Sequence, residues 1–507
     1  MNCLIRILYL DFVRLFEEVQ RKQIMNKLSK DVVISIVFSF LNILFNFWLI
    51  KEAEYTLSVA HLGVLMYIRR IAPTFSNIFQ LGTSQALVRF TSIEKDDRKK
   101  IKIYYIVSTF VWISVSILLA VLFLAFHDFL SSSFFPESEN GVAYLKITFV
   151  YISILHLSHF VLPYFLNLRK LFVYNMVVLL VASLSMLISF KFLGAEAEVL
   201  TVLEYSFLML FIILILAFFY VFVKTELYTL PSFSSIKREG KDFIKYGLPR
   251  AVITFSDMFL LTVGAMLIQG EEEIVGAFLI GIVLSRTILI VLQPVSLLSA
   301  VISGHSNTDE KHQQVLNLVV GGTMYITIIA TILLYTWIDV LLPFWLENEE
   351  TITTVTYIFK ILAFGIIPYT IFQALKGIID IKYFKPLNLY SLLIAIASHV
   401  FLFYVLNFWF DTTQSLSISL TISFVFLGFF ALYWNRKYLY SHRYFNLLYL
   451  FVFNIAVFVM NFKVHLHYPT FIGFLVSITL SGVLFLIFCL TVKSAFLKET
   501  IQVFKRR

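Results

Sequence analysis

Four basic residues, Arg69, Arg70, Arg286 and Lys360, lie within or at the edge of long apolar stretches of the sequence. A guanidinium group that faces lipid at membrane depth costs about 2.5–3.5 kcal/mol or more, so such groups should face a cavity or a partner. Guanidinium groups also suit bidentate recognition of phosphate. The four residues therefore predict a cationic cleft that binds an anion. The alternative is that each one pairs with a carboxylate for packing.

The composition identifies the elements that must position these side chains. The chain has 507 residues, of which 60% are hydrophobic and only 14% charged. Soluble domains are roughly 45–50% apolar and about 25% charged. The net charge of +9 is spread between apolar runs, which is typical of membrane topology and not of a nucleic-acid surface. These features predict an all-α polytopic membrane protein.

The apolar runs predict fourteen transmembrane helices, at roughly 20 residues each. Their ranges are 32–50, 62–88, 103–126, 144–166, 171–190, 205–223, 248–269, 274–302, 315–338, 352–375, 387–408, 413–434, 446–462 and 470–492. Most Lys and Arg residues fall on one side in alternate loops, and acidic residues dominate the other side. The positive-inside rule then predicts that both termini are cytoplasmic.

A weak internal repeat relates the second predicted helix to the eighth. Gly63 aligns with Gly276, and Gln80 aligns with Gln293. Because helices 2 and 8 are an even number apart, the two halves share one orientation. We expect two six-helix lobes related by a parallel pseudo-two-fold axis, with a cleft between them and two C-terminal helices added.

This organisation divides the chain into six segments. They are an amphipathic extension (1–24), a first lobe (25–223), a cytoplasmic linker (224–247), a second lobe (248–434), the last two helices (435–492) and a basic cytoplasmic tail (493–507). The spacing of apolar residues in 1–24 is that of an interfacial helix. The alternative is that Met25 is the true start of the protein.

Titratable residues within the spans are candidates for ion coupling. Glu204, Asp257, His156 and His159 could carry a proton, and Asp257 could hold sodium. Asp257 shares a helix face with Arg250, so an intramembrane salt bridge is the alternative. The histidines could instead hydrogen-bond to the backbone or to hydroxyl groups, as could His399.

Two further arginines, Arg89 and Arg250, stand at the predicted cytoplasmic ends of helices 2 and 7, where a gate or an anchor is expected. No metal site is predicted, because His156 and His159 lack a third ligand. The two cysteines, Cys3 and Cys489, form no metal-binding motif.

Several segments resemble one family of membrane proteins. Residues 28–50 and 81–90 are similar to the opening of polysaccharide-unit flippases, which belong to the multidrug/oligosaccharidyl-lipid/polysaccharide exporter superfamily. Residues 243–261 resemble the opening of that family's seventh helix, and 359–393 resemble its connection between helices 10 and 11. The first outer loop departs from the family, because it lacks the usual Pro and Tyr-Gly.

The resemblance implies a multi-pass flippase of the bacterial cytoplasmic membrane. Its substrate would be an undecaprenyl-diphosphate-linked oligosaccharide, used for surface polysaccharides such as O-antigen of lipopolysaccharide, capsule or exopolysaccharide. The arginines would hold the diphosphate or acidic sugars, and the lipid tail would stay in the membrane. A polysaccharide polymerase and a chain-length regulator would be partners. No cofactor is expected; an H+ or Na+ gradient could supply energy.

Three alternatives remain open. A cation-coupled multidrug exporter has the same fold, although Arg69, Arg70 and Arg286 would disfavour a cationic substrate. A lipid II flippase also has this fold. A membrane polysaccharide polymerase or ligase is a different class, but such enzymes need a large outer loop, and no loop here exceeds about 25 residues. We therefore predict that the protein is not an enzyme.

Overall fold

A computed structural model describes residues 34–491, with gaps at 36, 95–96, 137, 169, 195–196, 230, 269–270, 305–308, 383–384 and 437–446. The regular structure of the described part is helical throughout and includes no strand. The predicted extension (1–24) and tail (493–507) lie outside the described residues.

The helices of the first lobe are α1 to α8, and together they make six passes. Their bounds are 37–56 (α1), Val59–Phe79 (α2), Thr83–Ile93 (α3), Arg98–Phe134 (α4), Gly141–Asn167 (α5), Leu171–Leu179 (α6), Ser185–Leu193 (α7) and Val199–Lys224 (α8). The second pass consists of α2 and α3. The fifth consists of α6 and α7, which are joined by a π-helical turn at Leu180–Leu184.

The remaining helices make eight passes. Their bounds are Phe233–Leu267 (α9), Glu272–Gly304 (α10), Asp309–Leu341 (α11), Glu349–Lys382 (α12), Leu387–Leu406 (α13), Thr412–Asn435 (α14), Leu447–His467 (α15) and Phe471–Thr491 (α16). A 3₁₀ turn, Leu342–Phe344, follows α11. The fourteen passes confirm the predicted fold class. Helix α9 begins at Phe233, within the predicted linker, so this part of the linker continues the seventh pass.

The helices have the length and apolarity that a membrane protein requires. Among the described residues, nine helices are long and apolar enough to cross a membrane. Their outer surfaces expose large apolar side chains, such as Phe126, Leu216 and Phe364. The protein is therefore a multi-pass membrane protein.

Helix packing separates the two lobes and the two added helices. In the first lobe, α5 packs against α4 and α8. In the second lobe, α12 packs against α10, α11 and α14. Helices α15 and α16 pack against each other and against α11. The lobes meet mainly where α2 packs against α9 and α10, and where α3 and α4 pack against α9.

Candidate substrate site between the lobes

Two glycines bring α2 and α10 together at their predicted outer ends. A Cβ atom built on Gly276 would lie 3.0 Å from the Cα atom of Gly63, so the two backbones touch. Each glycine is the fifth residue of its helix. They are also the residues that the sequence repeat pairs. Contact between equivalent residues places this point close to the pseudo-two-fold axis of the two lobes.

Arg70 lies further along α2, about 10 Å from Gly63 at 1.5 Å per residue. Its Nε and Nη2 atoms are buried and have no hydrogen-bond partner among the described residues. Arg286 of α10 lies within electrostatic range of Arg70, so two like charges face the same region. Buried guanidinium donors without partners are unfavourable, and an anion could satisfy them.

Asp257 of α9 is the acidic group beside these arginines. Its Oδ2 atom lies 2.9 Å from Nζ of Lys376 on α12. Nε2 of Gln373 donates to both carboxylate oxygens, at 3.0 and 3.1 Å. The hydroxyl group of Tyr369 donates to Oδ1 at 3.3 Å. The carboxylate is therefore held by three side chains of one helix, and Arg286 also lies within electrostatic range.

The cluster formed by Arg70, Arg286, Lys376 and Asp257 has an excess of positive charge. Asp257 neutralises one of the three cations and leaves two. Arg286 and Tyr369 also line a narrow cavity whose other walls are mostly apolar. An anion that entered this cluster would meet two guanidinium groups in a region of low polarity, where electrostatic interactions are strong.

The lobes are in contact on the predicted cytoplasmic side of this cluster. Gly82 has a φ of 72°, and a Cβ atom built on it would lie 2.0 Å from the carbonyl oxygen of Gly247. Nearby, the ring of Tyr246 packs between two cations. Arg250 lies 3.7 Å and Arg89 4.6 Å from the centre of that ring. Arg89 comes from the first lobe and Arg250 from the second, so both predicted gate residues meet at one ring.

The lobes are also in contact on the predicted outer side. The carboxylate of Glu54, at the end of α1, accepts hydrogen bonds from the backbone N–H groups of Glu347 and Asn348, at 2.7–2.9 Å. The indole of Trp345 donates to the carbonyl oxygen of Phe47 at 2.7 Å. The charged cluster therefore lies between two zones of inter-lobe contact.

Arg69 differs from Arg70 although it is adjacent to it in sequence. Its Nη2 atom donates to Oδ1 of Asn46 at 2.7 Å and to the carbonyl oxygen of Ala182 at 3.0 Å. Ala182 lies in the π-helical turn that joins α6 to α7. Both acceptors belong to the first lobe. The structure therefore places Arg69 inside that lobe and not in the charged cluster.

Lys360 and Glu204 also lie away from the cluster. Nζ of Lys360 is 2.9 Å from Asp339, which joins α12 to α11 within the second lobe. Glu204 is exposed and faces a lipid-facing cleft of the first lobe. Of the four residues predicted to form the cationic cleft, the structure brings together Arg70 and Arg286.

The predicted proton carriers occupy different positions. His156 is buried in α5, and neither of its ring nitrogens has a partner among the described residues. His159 is on the same helix, which packs against other helices of the first lobe. His399 of α13 shares a hydrogen bond of 2.9 Å with Ser419. Of the residues predicted for ion coupling, Asp257 is the one that belongs to the charged cluster.

Sequence reasoning missed the three side chains that hold Asp257. Tyr369, Gln373 and Lys376 are spaced by four and three residues, so they share one face of α12. That spacing is visible in the sequence, but Lys376 reads as one more cytoplasmic topology signal. Arg250, the predicted partner of Asp257, is seven residues away on the same helix, about 10 Å along its axis. It donates to the carbonyl oxygen of Tyr246 instead.

These features define a fourteen-pass membrane protein with two six-helix lobes around a buried charged cluster. Solved structures with this fold include "Lipid II flippase MurJ, inward closed conformation". The similarity has a TM-score of 0.66 and 16% identity, and it covers 93% of this chain and all of that one.

Transporters of the MATE family have a similar fold as well. An inward-facing multidrug resistance transporter of this family, from the MOP superfamily, matches with a TM-score of 0.60 and 14% identity over 80% of this chain and 98% of its own. The Vibrio cholerae MATE transporter VcmN matches with a TM-score of 0.59 and 12% identity over 83% of this chain and 98% of its own. No family model and no curated protein sequence matches this chain. The similarity to these structures concerns the fold.

Proposed function

We propose that this protein is a flippase that moves undecaprenyl-diphosphate-linked oligosaccharide repeat units across the bacterial cytoplasmic membrane for surface polysaccharide synthesis. One observation carries the proposal. A buried guanidinium group with unpaired donors, that of Arg70, lies near Arg286 at the interface of two lobes. A diphosphate would satisfy these donors in bidentate fashion. The fold shared with a lipid II flippase supports a lipid-linked substrate.

Transport would proceed by alternating access. The glycine contacts on the two sides of the cluster would open in turn, so that the head group meets Arg70 and Arg286 from either side. The lipid tail would remain in the membrane, and the oligosaccharide would pass between the lobes. The state described here has inter-lobe contacts on both sides, as an intermediate between two open states would.

Asp257 and Lys376 would set the electrostatic balance during this cycle. While the cluster is free of substrate, Lys376 is paired with Asp257. A diphosphate bound to the arginines would also attract Lys376 and weaken this pair. A proton taken up by Asp257 would have the same effect, which is the route by which an H+ gradient would couple to transport. A polysaccharide polymerase and a chain-length regulator are proposed as partners only because they would act on the same substrate after it is moved.

The test is complementation of a strain that lacks this gene and has no paralogue. The wild-type gene should restore surface polysaccharide, and without it the lipid-linked oligosaccharide should accumulate on the cytoplasmic face. Arg70→Ala and Arg286→Ala should fail to restore export, while Arg70→Lys should restore it in part. Lys360→Ala is the matched control, because its charge is paired within one lobe. Normal surface polysaccharide in the deletion strain would disprove the proposed function.

A lipid II flippase is the second candidate. The lipid II flippase MurJ is similar in fold over 93% of this chain, and a lipid-linked diphosphate suits the same arginines. The two candidates differ in the cells they would rescue. If the protein is a lipid II flippase, its gene should restore growth of cells depleted of their own lipid II flippase. If it moves oligosaccharide repeat units, it should not. A multidrug exporter is disfavoured, because Arg70 and Arg286 would repel organic cations.

A further inference from the structure

A second cleft lies on the lipid-facing side of the first lobe, remote from the charged cluster. It is formed between α4, α5 and α8 and has a volume of about 560 Å³. This size is typical of ligand pockets. Its wall is mostly apolar, and Val150, Leu208 and Phe211 within it are 42–58% exposed. An apolar cleft open at a membrane-facing surface is accessible to acyl chains.

Two opposite charges face this cleft at the same depth. Lys146 is five residues beyond Gly141, the start of α5, and Glu204 is five residues beyond Val199, the start of α8. Both helices start at the predicted outer side, so each charge lies about 7.5 Å below it. Both side chains are exposed, and neither forms an ion pair within the described part of the chain.

The other polar groups in the cleft are already bonded to each other. The indole N–H of Trp112 donates to the carbonyl oxygen of Ser153 at 3.1 Å. The hydroxyl groups of Ser116 and Ser153 are 2.6 Å apart. These groups do not compete for Lys146 or Glu204. The two charges are therefore available to a ligand that carries both signs of charge.

We propose that this cleft binds a zwitterionic phospholipid of the phosphatidylethanolamine type from the predicted outer leaflet. The lipid phosphate accepts hydrogen bonds from Lys146, the ammonium group donates to Glu204, and an acyl chain follows the apolar wall. A diphosphate-linked substrate does not match this cleft, because Glu204 repels a second negative charge. Phosphatidylcholine lacks the N–H donors that Glu204 requires, and phosphatidylglycerol lacks the cation.

Native mass spectrometry of the purified full-length protein tests this proposal. The probes are phosphatidylethanolamine, phosphatidylcholine and phosphatidylglycerol with identical acyl chains. Wild-type protein should retain phosphatidylethanolamine most strongly. Lys146→Ala and Glu204→Gln should each weaken its retention about tenfold, as expected for loss of a charged hydrogen bond. The doubly reversed variant, Lys146→Glu with Glu204→Lys, should retain the lipid, because the head group can turn round.

Lys463→Ala is the matched control, because Lys463 is an exposed lysine near the predicted outer end of α15, outside the cleft. Its lipid retention should equal that of the wild type. Size-exclusion elution and thermal stability of each variant establish that it is folded. Equal retention of the three lipids would overturn the proposal in favour of acyl chains alone. Retention of a polypeptide in place of a lipid would overturn it as well. Neither result bears on the proposed export function.

Discussion

Arg69 and Arg70 are adjacent in sequence, yet they extend from different sides of α2. Arg69 donates hydrogen bonds to Asn46 and Ala182 inside the first lobe. Arg70 is directed towards the second lobe, where Arg286 and Asp257 lie within electrostatic range. Consecutive residues on a helix are rotated by about 100°, because one turn takes 3.6 residues. One arginine can therefore stabilise a lobe while its neighbour is available to a substrate.

The first prediction separates the two arginines by substrate binding. Arg70→Ala should weaken binding of an undecaprenyl-diphosphate oligosaccharide at least about tenfold, since a charged hydrogen bond contributes about 1.5–3 kcal/mol. Arg70→Lys should lose less, because it keeps the charge but not the bidentate geometry. Binding is measured by thermal stabilisation of the purified protein on titration with the lipid. Equal affinity of Arg70→Ala and wild type would exclude Arg70 from the substrate site.

The second prediction concerns Arg69. Arg69→Ala should lower the thermal stability of the protein without any substrate, because it leaves Asn46 and the carbonyl group of Ala182 without their donor. The expected loss is about 1–3 kcal/mol. The folded fraction should bind substrate with an affinity within about threefold of the wild type, which is about 0.7 kcal/mol, because Arg69 is bonded inside the first lobe. Unchanged stability together with lost binding would place Arg69 in the substrate site after all.

The third prediction tests the pair formed by Asp257 and Lys376. Lys376→Gln should destabilise the protein by about 1–3 kcal/mol, because it removes the cation that is hydrogen-bonded to the partly buried carboxylate of Asp257. Adding Asp257→Asn to this variant should recover most of that loss, since the double variant lacks both members of the pair and leaves neither partner's charge behind. The coupling free energy between the two residues is obtained from the thermal unfolding of the wild type, the two single variants and the double variant. Additive effects of the two substitutions would show that the pair has no energetic link.

The fourth prediction uses Gly63 to open the predicted outer side. A Cβ atom on Gly63 would lie 1.9 Å from the carbonyl oxygen of Glu272, so Gly63→Ala should force α2 and α10 apart at this end. A cysteine in place of Ser285, which lies beside Arg286, should then react faster with an impermeant thiol reagent added from outside. Cys3→Ser and Cys489→Ser remove the native thiols from the background.

Gly482→Ala is the control for this experiment, because nothing lies within 4 Å of a Cβ atom at that position. It should leave the labelling rate unchanged. If Gly63→Ala reacts no faster than Gly482→Ala, the contact between α2 and α10 does not close the outer side.

The fifth prediction is the converse, at the predicted cytoplasmic side. A Cβ atom on Gly247 would lie 2.8 Å from the carbonyl oxygens of Leu81 and Gly82, so Gly247→Ala should separate α3 from α9. Labelling of Ser285→Cys should then rise in inside-out vesicles and not in intact cells. The opposite pattern would contradict the orientation inferred from the basic loops.

The sequence by itself determined the fold class and the number of passes. The length of a hydrophobic run is set by the thickness of the membrane, and the alternation of basic loops is set by the cost of moving charge across it. Each of these features can be recognised from a short stretch of sequence. The repeat also paired Gly63 with Gly276, which the structure shows in contact. The sequence places Arg70 and Arg286 among the candidates for one cleft, and in the structure the two lie within electrostatic range of each other.

Only the tertiary structure decided which charges share a site. Lys376 counted as a topology signal in the sequence, yet it holds Asp257. Lys360 was a candidate for the cleft, yet it pairs with Asp339. The side that a residue faces on its helix, and the partner it meets there, depend on how helices distant in sequence pack. The pattern of hydrophobic residues indicates how deep in the membrane a charged residue lies. It does not indicate which residue will be its neighbour.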